Sequence, residues 1–214
     1  MKTQLIDHVK ISHLLLVLVI LLFTGCGHQS LSIKAESEVP IPLVNQIQLS
    51  LGVYYDDAFR NYIYTEDTTD RQNWKIESGS SQVALFDRIL QSMFKQVTPV
   101  NTIAKEQATD NIDVILAPTI TEMQFSLPQE TKLDIYEVWI KYKISIFDKH
   151  GNQITEFPLI AYGKISTEFV KSHDHGLKVA IELALRDAGA RMALGFSEIA
   201  EIKQWLASAI ETET

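Results

Sequence analysis

Few side chains in this sequence have the type and spacing that metal binding requires. His173-Asp174-His175 is a tight group of metal-capable side chains, but no further ligand lies near it in the sequence, and a metal site needs at least three. On a helix the two histidines would point about 200° apart, and Asp174 would interact favourably with the positive end of the helix dipole. We therefore interpret the group as a polar helix start and expect no bound metal.

Paired carboxylates, which could serve acid–base catalysis, are plentiful but scattered. They are Asp56-Asp57, Glu66-Asp67, Asp110 and Asp113. The sequence contains no nucleophile elbow, zinc-protease motif, phosphate-binding loop or dinucleotide fingerprint. We expect a protein that is not an enzyme and binds no cofactor. The alternative, a hydrolase with an unrecognised site, would need two carboxylates to converge in a cleft.

Aromatic side chains suggest binding rather than catalysis. Several lie in or near strand-like segments: Tyr54, Tyr55, Tyr62, Tyr64, Trp74 and Trp139. Tyr54 and Trp139 fall on the polar sides of their strands, where exposed aromatics mark binding surfaces. Pro118 interrupts another strand and indicates a bulge or a sheet edge. The predicted partner surface is Tyr54, Trp74, Pro118 and Trp139. The alternative is that residues 56–81 cover these aromatics and bury them.

The N-terminus has the pattern of an export signal. Lys2 and Lys10 precede ten uninterrupted apolar residues, LLLVLVILLF, about half of the ~20 needed to cross a bilayer. A basic start with a short apolar core is typical of a secretory signal. Thr24-Gly25-Cys26 follows at once and resembles the lipobox of bacterial lipoproteins, with Phe23 where Leu is usual. The alternative is a cytoplasmic protein with a buried N-terminal helix and a core cysteine.

The lipobox resemblance implies that residues 1–25 are removed and that Cys26 carries the lipid, palmitate included. Three acyl chains would make a lasting anchor, since one chain binds only marginally. Cys26 is the one cysteine, so no intrachain disulfide can form, and its lipidation would exclude a cysteine nucleophile. Removing Lys2, Lys10 and Asp7 changes the formal charge from −8 to −8 − 2 + 1 = −9. Such an acidic body argues against nucleic acid and against attraction to anionic lipids.

The mature chain divides into a flexible tether and one domain. Residues 26–45 hold the lipidated cysteine and a mixed polar stretch with Pro40 and Pro42. We predict a flexible tether, with an average span of roughly 25 Å for a random coil. Residues 46–214 are long enough for a single domain with its own core. We expect that domain to face the periplasm.

Hydrophobic periodicity predicts the elements of this domain. We expect a strand over 46–55, an excursion with a hairpin over 56–81, and a helix over 82–97 that Ser80 or Ser81 caps and Pro99 ends. A strand over 112–127 follows, and then two strands joined by a turn at 148–152. A helix ends near Gly195, and Ser197 caps the last one. The pattern predicts an α+β two-layer sandwich, with a mostly antiparallel sheet and two main helices on one face.

This element order resembles a group of envelope lipoprotein domains, which includes the N-terminal domain of TolB, LptE and YajG-like proteins. The closing Ala-rich helix, ELALRDAGARMALGF, is part of that likeness. The resemblance implies a non-catalytic subunit that binds a protein partner in an outer-membrane or trans-envelope assembly. Gly27 after the cysteine, where Asp would retain a lipoprotein at the inner membrane, implies the outer membrane. The alternative function is a lipid or small-ligand carrier with a pocket between the sheet and the long helix.

Overall fold

The computed structural model describes residues 29–32, 42–66, 73–103 and 111–211. The predicted signal peptide and Cys26 lie outside these residues, and so do Asp67 and Asp110 of the carboxylate pairs. No helix within the described ranges is both long and apolar enough to cross a membrane.

A five-stranded main sheet organises the domain. Its order is β5-β2-β6-β7-β8, and its strands are β2 Ile47–Val53, β5 Phe94–Pro99, β6 Val114–Ser126, β7 Ile135–Asp148 and β8 Gln153–Ser166. β6, β7 and β8 run antiparallel, as the two long alternating segments predicted. The turn between β7 and β8 is fixed by the Asp148 carboxylate, which accepts the N–H groups of His150 and Asn152. Gly151 supplies the positive φ, 80°, that the turn needs.

A second sheet has three short strands in the order β1-β4-β3. They are β1 Gln29–Ser32, β3 Ile63–Glu66 and β4 Trp74–Glu77. β3 and β4 form the hairpin expected within 56–81. β1 pairs with β4 in parallel, so the prediction of a tether without secondary structure is wrong for residues 29–32. A strand of four residues has too little periodicity to be recognised in a polar segment.

The described residues also form five α-helices: α1 Asp57–Arg60, α2 Gly79–Met93, α3 Pro128–Thr131, α4 His173–Gly195 and α5 Ala200–Glu211. α4 is the long closing helix expected from the Ala-rich stripe. It begins at His173, where the Ser172 side chain caps it by accepting the N–H of His175. The His-Asp-His group is therefore a helix start, as predicted.

The helices and the small sheet form one layer against one face of the main sheet. From α2, Phe86 packs edge-on against Tyr142 of β7, and Gln82 accepts a hydrogen bond from the same Tyr142. From the small sheet, Trp74 packs on Phe125 of β6, with ring centroids 5.4 Å apart. The α+β two-layer prediction is confirmed. The sequence did not reveal that β2 pairs in parallel with both β5 and β6.

Gly163 of β8 sets how closely α4 approaches the sheet. A Cβ at this position would lie 2.0 Å from the Ala180 carbonyl oxygen and 2.4 Å from the Ala184 nitrogen. Ala180 and Ala184 are both buried, so small residues of the helix face the one β8 position without a side chain. This contact lets backbone pack on backbone.

Three predicted boundaries are wrong. α2, which was expected to run from residue 82 to 97, ends at Met93 instead of Val97, and the chain continues directly into β5. That helix begins at Gly79 behind Ser78, so neither Ser80 nor Ser81 caps it. Ser197 lies in a one-turn 3-10 helix, Phe196–Glu198, and does not cap α5, which begins at Ala200.

Pro118 neither interrupts β6 nor forms a bulge. It pairs opposite Ile144, and the register shift lies further on, between Ile120 and Glu122. The Leu116 carbonyl accepts the N–H of Tyr54 and so faces β2. Two residues later in β6, the Pro118 nitrogen points in the same direction. β2 ends at Val53, so no β2 residue stands opposite that nitrogen. A missing N–H costs little at such a local edge.

Candidate functional site

No helix of the described residues packs on one side of β7 and β8, and we call this side the open face. Because side chains alternate along a strand, the β7 residues on this side are those between the buried ones. The register pairs them with β8 residues of the same side. The open face consists of Glu137, Trp139, Lys141 and Lys143 on β7, Glu156, Pro158, Ile160, Tyr162 and Lys164 on β8, and Glu122 and Gln124 on β6.

Trp139 and Tyr162 form an aromatic pair at the centre of this face. They lie directly opposite each other in the β7–β8 register, and their ring centroids are 5.0 Å apart at an interplanar angle of 38°. The Trp139 side chain is 37% exposed, and Ile160 beside it is also exposed. An apolar group of this kind on a rigid sheet is an arrangement suited to binding.

Hydrogen bonds hold Tyr162 at both ends. Its hydroxyl donates to the Glu137 carboxylate, and its backbone N–H donates to Asp187 of α4 at 2.9 Å. Partial burial, the hydrogen bond to Glu137 and the charge of Glu137 raise the pKa of Tyr162 to about 12. The hydroxyl therefore remains a donor at neutral pH and fixes the ring against which Trp139 lies.

The charges of the open face cancel. Three lysines (Lys141, Lys143, Lys164) stand among three glutamates (Glu122, Glu137, Glu156), and Lys143 pairs with Glu156 at 3.4 Å. The face is therefore neutral on a chain whose formal charge is −8. Its central aromatics are the feature that it shares with the middle of protein interfaces, where tryptophan and tyrosine are enriched.

The structure brings only part of the predicted partner surface to this face. Trp74 is 3% exposed and belongs to the core, so it cannot contact a partner. Pro118 is also buried, and its side chain lies on the helix-covered face, as does that of its β7 partner Ile144. The alternative that residues 56–81 bury an aromatic is thus correct for Trp74. It is not correct for Trp139, because the small sheet covers the opposite face.

Tyr54 does not join Trp139. Its N–H bonds to the Leu116 carbonyl, whereas Trp139 pairs with Gln124. Eight positions of β6 separate these points, which is roughly 25 Å at the usual rise of a strand. Tyr54 is half-buried, and the two aromatics do not form one surface.

Tyr162 and Ile160 are the residues of this face that sequence reasoning missed. The segment 153–166 mixes polar and apolar residues on both parities, so periodicity alone does not orient it. Counting back along both strands from the turn at 148–152 does not orient it either, because β8 has one extra residue between the partners of Phe147 and Ile146. Without that shift Trp139 would be placed opposite Ala161, and a slip of one residue changes the face of every side chain.

Two of the carboxylates considered for catalysis, Asp56 and Asp113, accept hydrogen bonds from the backbone. Asp56 caps α1 by accepting the N–H of Phe59 at 2.6 Å, and Asp113 accepts the N–H of Ser50 at 2.8 Å. Each bond ties a carboxylate to a local structural role. Another carboxylate, Asp87, accepts a hydrogen bond from the Tyr55 hydroxyl. Burial of Tyr55 and the negative charge of Asp87 raise the pKa of Tyr55.

His173 joins three elements of the fold. Its Nδ1 lies 2.7 Å from the hydroxyl of Tyr136, and its Nε2 lies 2.9 Å from the side-chain amide of Gln129. The residue thus links the start of α4 to β7 and to the α3 segment. Among the residues with described positions, no three His, Cys, Asp or Glu side chains could hold a metal ion.

Comparison with known proteins yields fold-level likenesses. No family model matches the chain, and no curated protein matches it. Similar solved structures include a DUF330 protein of Xanthomonas campestris, at 10% identity over 87% of this chain and 99% of the other, with a TM-score of 0.49. A minor lipoprotein of Acinetobacter baumannii shares 13% identity over 72% of this chain and 94% of the other, at 0.44. Lipoprotein GNA1162 of Neisseria meningitidis shares 13% over 63% and 94%, at 0.31. These values assign the chain to no family.

Proposed function

We propose that this protein is an exported lipoprotein, anchored through Cys26, whose domain binds a protein partner of the cell envelope without catalysing a reaction. The observation that carries the binding role is Trp139, exposed at the centre of a neutral sheet face. The anchor rests on the export signal and the lipobox-like Thr24-Gly25-Cys26. Gly27 favours the outer membrane, with the domain facing the periplasm.

The open face has the features of a protein-binding surface. Trp139 lies on the central strand of the antiparallel part of the sheet, so its backbone is fixed on both sides. Its neighbour Tyr162 is held by Glu137 and Asp187. Binding to such a preorganised aromatic pair sacrifices little side-chain entropy. Tryptophan and tyrosine are also the residues that most often dominate interface energetics.

Lipidation is tested by the variant Cys26→Ser, expressed from the full chain. We expect the wild-type protein to incorporate labelled palmitate and to sediment with membranes, and the variant to incorporate none and to leave the membrane fraction. Density separation of the two envelope membranes tests the outer-membrane assignment. A Cys26→Ser protein that is processed and still sediments tightly with membranes would contradict the anchor.

Partner binding is tested by photo-crosslinking in intact cells. A photoreactive amino acid at position 160 lies on the open face, and the same residue at position 194, which is 72% exposed on α4, serves as the matched control. We expect one protein adduct from position 160, none from position 194, and loss of the adduct in Trp139→Ala. The same adducts from both positions, or an adduct that Trp139→Ala leaves unchanged, would contradict binding through this face.

The contact at Gly163 weakens the carrier alternative. α4 and β8 meet there backbone to backbone, and buried alanines line the helix on this side. A ligand between the sheet and the long helix would have to separate them. Native mass spectrometry of the purified chain should therefore detect no bound amphiphile, and a retained lipid would revive the carrier function.

A further inference from the structure

The small sheet reveals the end of the domain at which the chain enters. β4 begins with Trp74, which packs on Phe125. Phe125 is the last residue but one of β6, so Trp74 lies near one end of the main sheet. The segment 127–134 and the segment 167–172 extend beyond the strands at this same end, because Ile135 of β7 pairs with Ser166 of β8.

The other end of β4 lies toward the middle of the main sheet. Ser78 and Gly79 follow β4 and both donate their N–H groups to the Tyr62 carbonyl. Gln82, one turn later in α2, bonds to Tyr142, and Tyr142 is four residues along β7 from Val138, the partner of Phe125. β4 therefore runs from the sheet end toward the sheet middle.

β1 runs the same way as β4, since the two strands are parallel and Gln29 pairs with Trp74. Gln29, the first described residue, therefore lies at the Trp74 end of the small sheet. Cys26 comes three residues before Gln29, and three residues span at most about 10 Å. The predicted lipid site is thus within a short distance of this end of the domain, not at the far end of a long tether.

Two exposed apolar side chains protrude at this end, which we call the anchor end and define by Leu133 and Phe169. Leu133 is 53% exposed and Phe169 is 72% exposed. Their segments are joined, because the N–H of Thr167 donates to the Asp134 carbonyl at 2.9 Å. Two joined loops that each expose a large apolar residue form a small hydrophobic tip.

We propose that the anchor end rests on the lipid surface, with Leu133 and Phe169 in contact with the boundary between head groups and acyl chains. The proposal rests on the lipidation of Cys26, which brings the bilayer within about 10 Å of Gln29. Apolar loop residues that reach this boundary gain free energy by leaving water. The lipid and the two side chains would then hold the domain in one orientation.

Apolar contact, and not charge, carries this attachment. The segments 127–134 and 167–175 hold two lysines and four carboxylates, which gives 2 − 4 = −2 with neutral histidines. They are Lys132, Lys171, Glu130, Asp134, Glu168 and Asp174. This end therefore has no basic excess to attract anionic lipids. Contact should be equal on zwitterionic vesicles and on vesicles with added anionic lipid.

Single-cysteine reporters test the orientation. The native cysteine is acylated in the lipidated protein, so Leu133→Cys or Phe169→Cys provides the one free thiol for a nitroxide or a polarity-sensitive dye. Leu194→Cys is the matched control, because it is equally exposed on α4 and lies about 30 Å along the helix from His173. Each full-length lipoprotein is reconstituted into phosphatidylcholine vesicles, with and without phosphatidylglycerol.

We expect the probes at 133 and 169 to report a lipid environment, with oxygen accessibility exceeding that of a water-soluble nickel complex, and the probe at 194 to report water. Probes at all three positions in water, on protein that floats with the vesicles, would overturn the anchor-end proposal while leaving the lipid anchor intact. Protein that does not float would instead overturn lipidation. Shielding of 133 and 169 only after an envelope protein extract is added would also overturn the proposal, in favour of a protein contact.

Discussion

The two sides of β7 show how one strand divides its residues between folding and binding. On one side, every second residue from Tyr136 to Ile146 is buried against the helices and the small sheet. On the other, Glu137, Trp139, Lys141 and Lys143 form part of the open face. The same backbone and the same twofold alternation produce a tightly packed side and a water-facing side. Substitutions on the first should change stability, and those on the second should change binding.

The largest effect is expected at Gly163, on the helix-covered side. In Gly163→Ala the new Cβ would meet the Ala180 carbonyl oxygen and the Ala184 nitrogen, 2.0 and 2.4 Å away. Because backbone cannot rotate aside as a side chain can, α4 must shift outward. We expect a loss of about 3 kcal/mol or more in the free energy of unfolding, at the upper end of overpacking costs. Urea unfolding followed by circular dichroism measures it.

Gly195→Ala provides the matched control. A Cβ at Gly195 has no atom within 4 Å, and its φ of −94° suits any residue. We expect equal or slightly higher stability, by up to about 1 kcal/mol. Equal stabilities for the two alanine variants would mean that α4 does not pack on β8 as described.

A smaller effect is expected from Tyr142→Phe. Tyr142 is fully buried and its hydroxyl donates to Gln82, which is also fully buried. Removing the donor leaves the Gln82 oxygen without this hydrogen bond, which costs about 1–3 kcal/mol. The double variant Tyr142→Phe, Gln82→Leu should recover part of that loss, because both polar partners are then removed.

Tyr162→Phe on the open face is the comparison for this variant. It also removes a hydroxyl that donates to a side chain, but Glu137 is only half-buried and can bond to water instead. We expect its cost in the free energy of unfolding to be clearly below that of Tyr142→Phe. A larger cost on the open face would refute the division between the two sides.

The smallest effect is a loss of stability that appears only at alkaline pH. The folded protein raises the pKa of Tyr162 from 10.0 to about 12, so folding favours the protonated phenol. This stabilisation is complete below about pH 10 and is lost as the pH rises toward 12. The difference in absorbance at 295 nm between wild type and Tyr162→Phe reports the titration. Glu137→Gln should lower the pKa of Tyr162, and an unchanged titration would show that Glu137 does not act on it.

The sequence predicted the parts of the fold that a single period defines. β7 alternates over most of its length, and a turn rich in Asp, Gly and Asn follows it, so the hairpin could be inferred. Its register could not, because one extra β8 residue beside the turn shifts the pairing. The Ala-rich helix was equally clear. The end of α2 was not, because Phe94 and Val97 fit a helical spacing and also fit the first residues of a strand. No local pattern distinguishes the two.

Information about pairing between distant segments is what the sequence lacked. Trp74 and Trp139 both follow strand-like patterns, yet one packs on Phe125 and the other faces water. The difference depends on which face of the main sheet the small sheet covers, and that choice is made by tertiary contacts. The parallel pairings of β2 and the pairing of β1 with β4 depend on similar long-range contacts, which local propensity does not encode.

The hydrogen bond from Tyr162 to Asp187 has a consequence beyond the aromatic pair. β8 is the outermost strand of the main sheet, and this bond occupies a backbone donor on its free side. Pro158, four residues earlier with the same alternation, has no N–H to offer there. Molecules confined to a membrane plane meet at high local density, where an unprotected strand would join its neighbour's sheet. If the proposed lipid anchor confines the protein to such a plane, the occupied donor and the missing one oppose pairing between neighbouring domains.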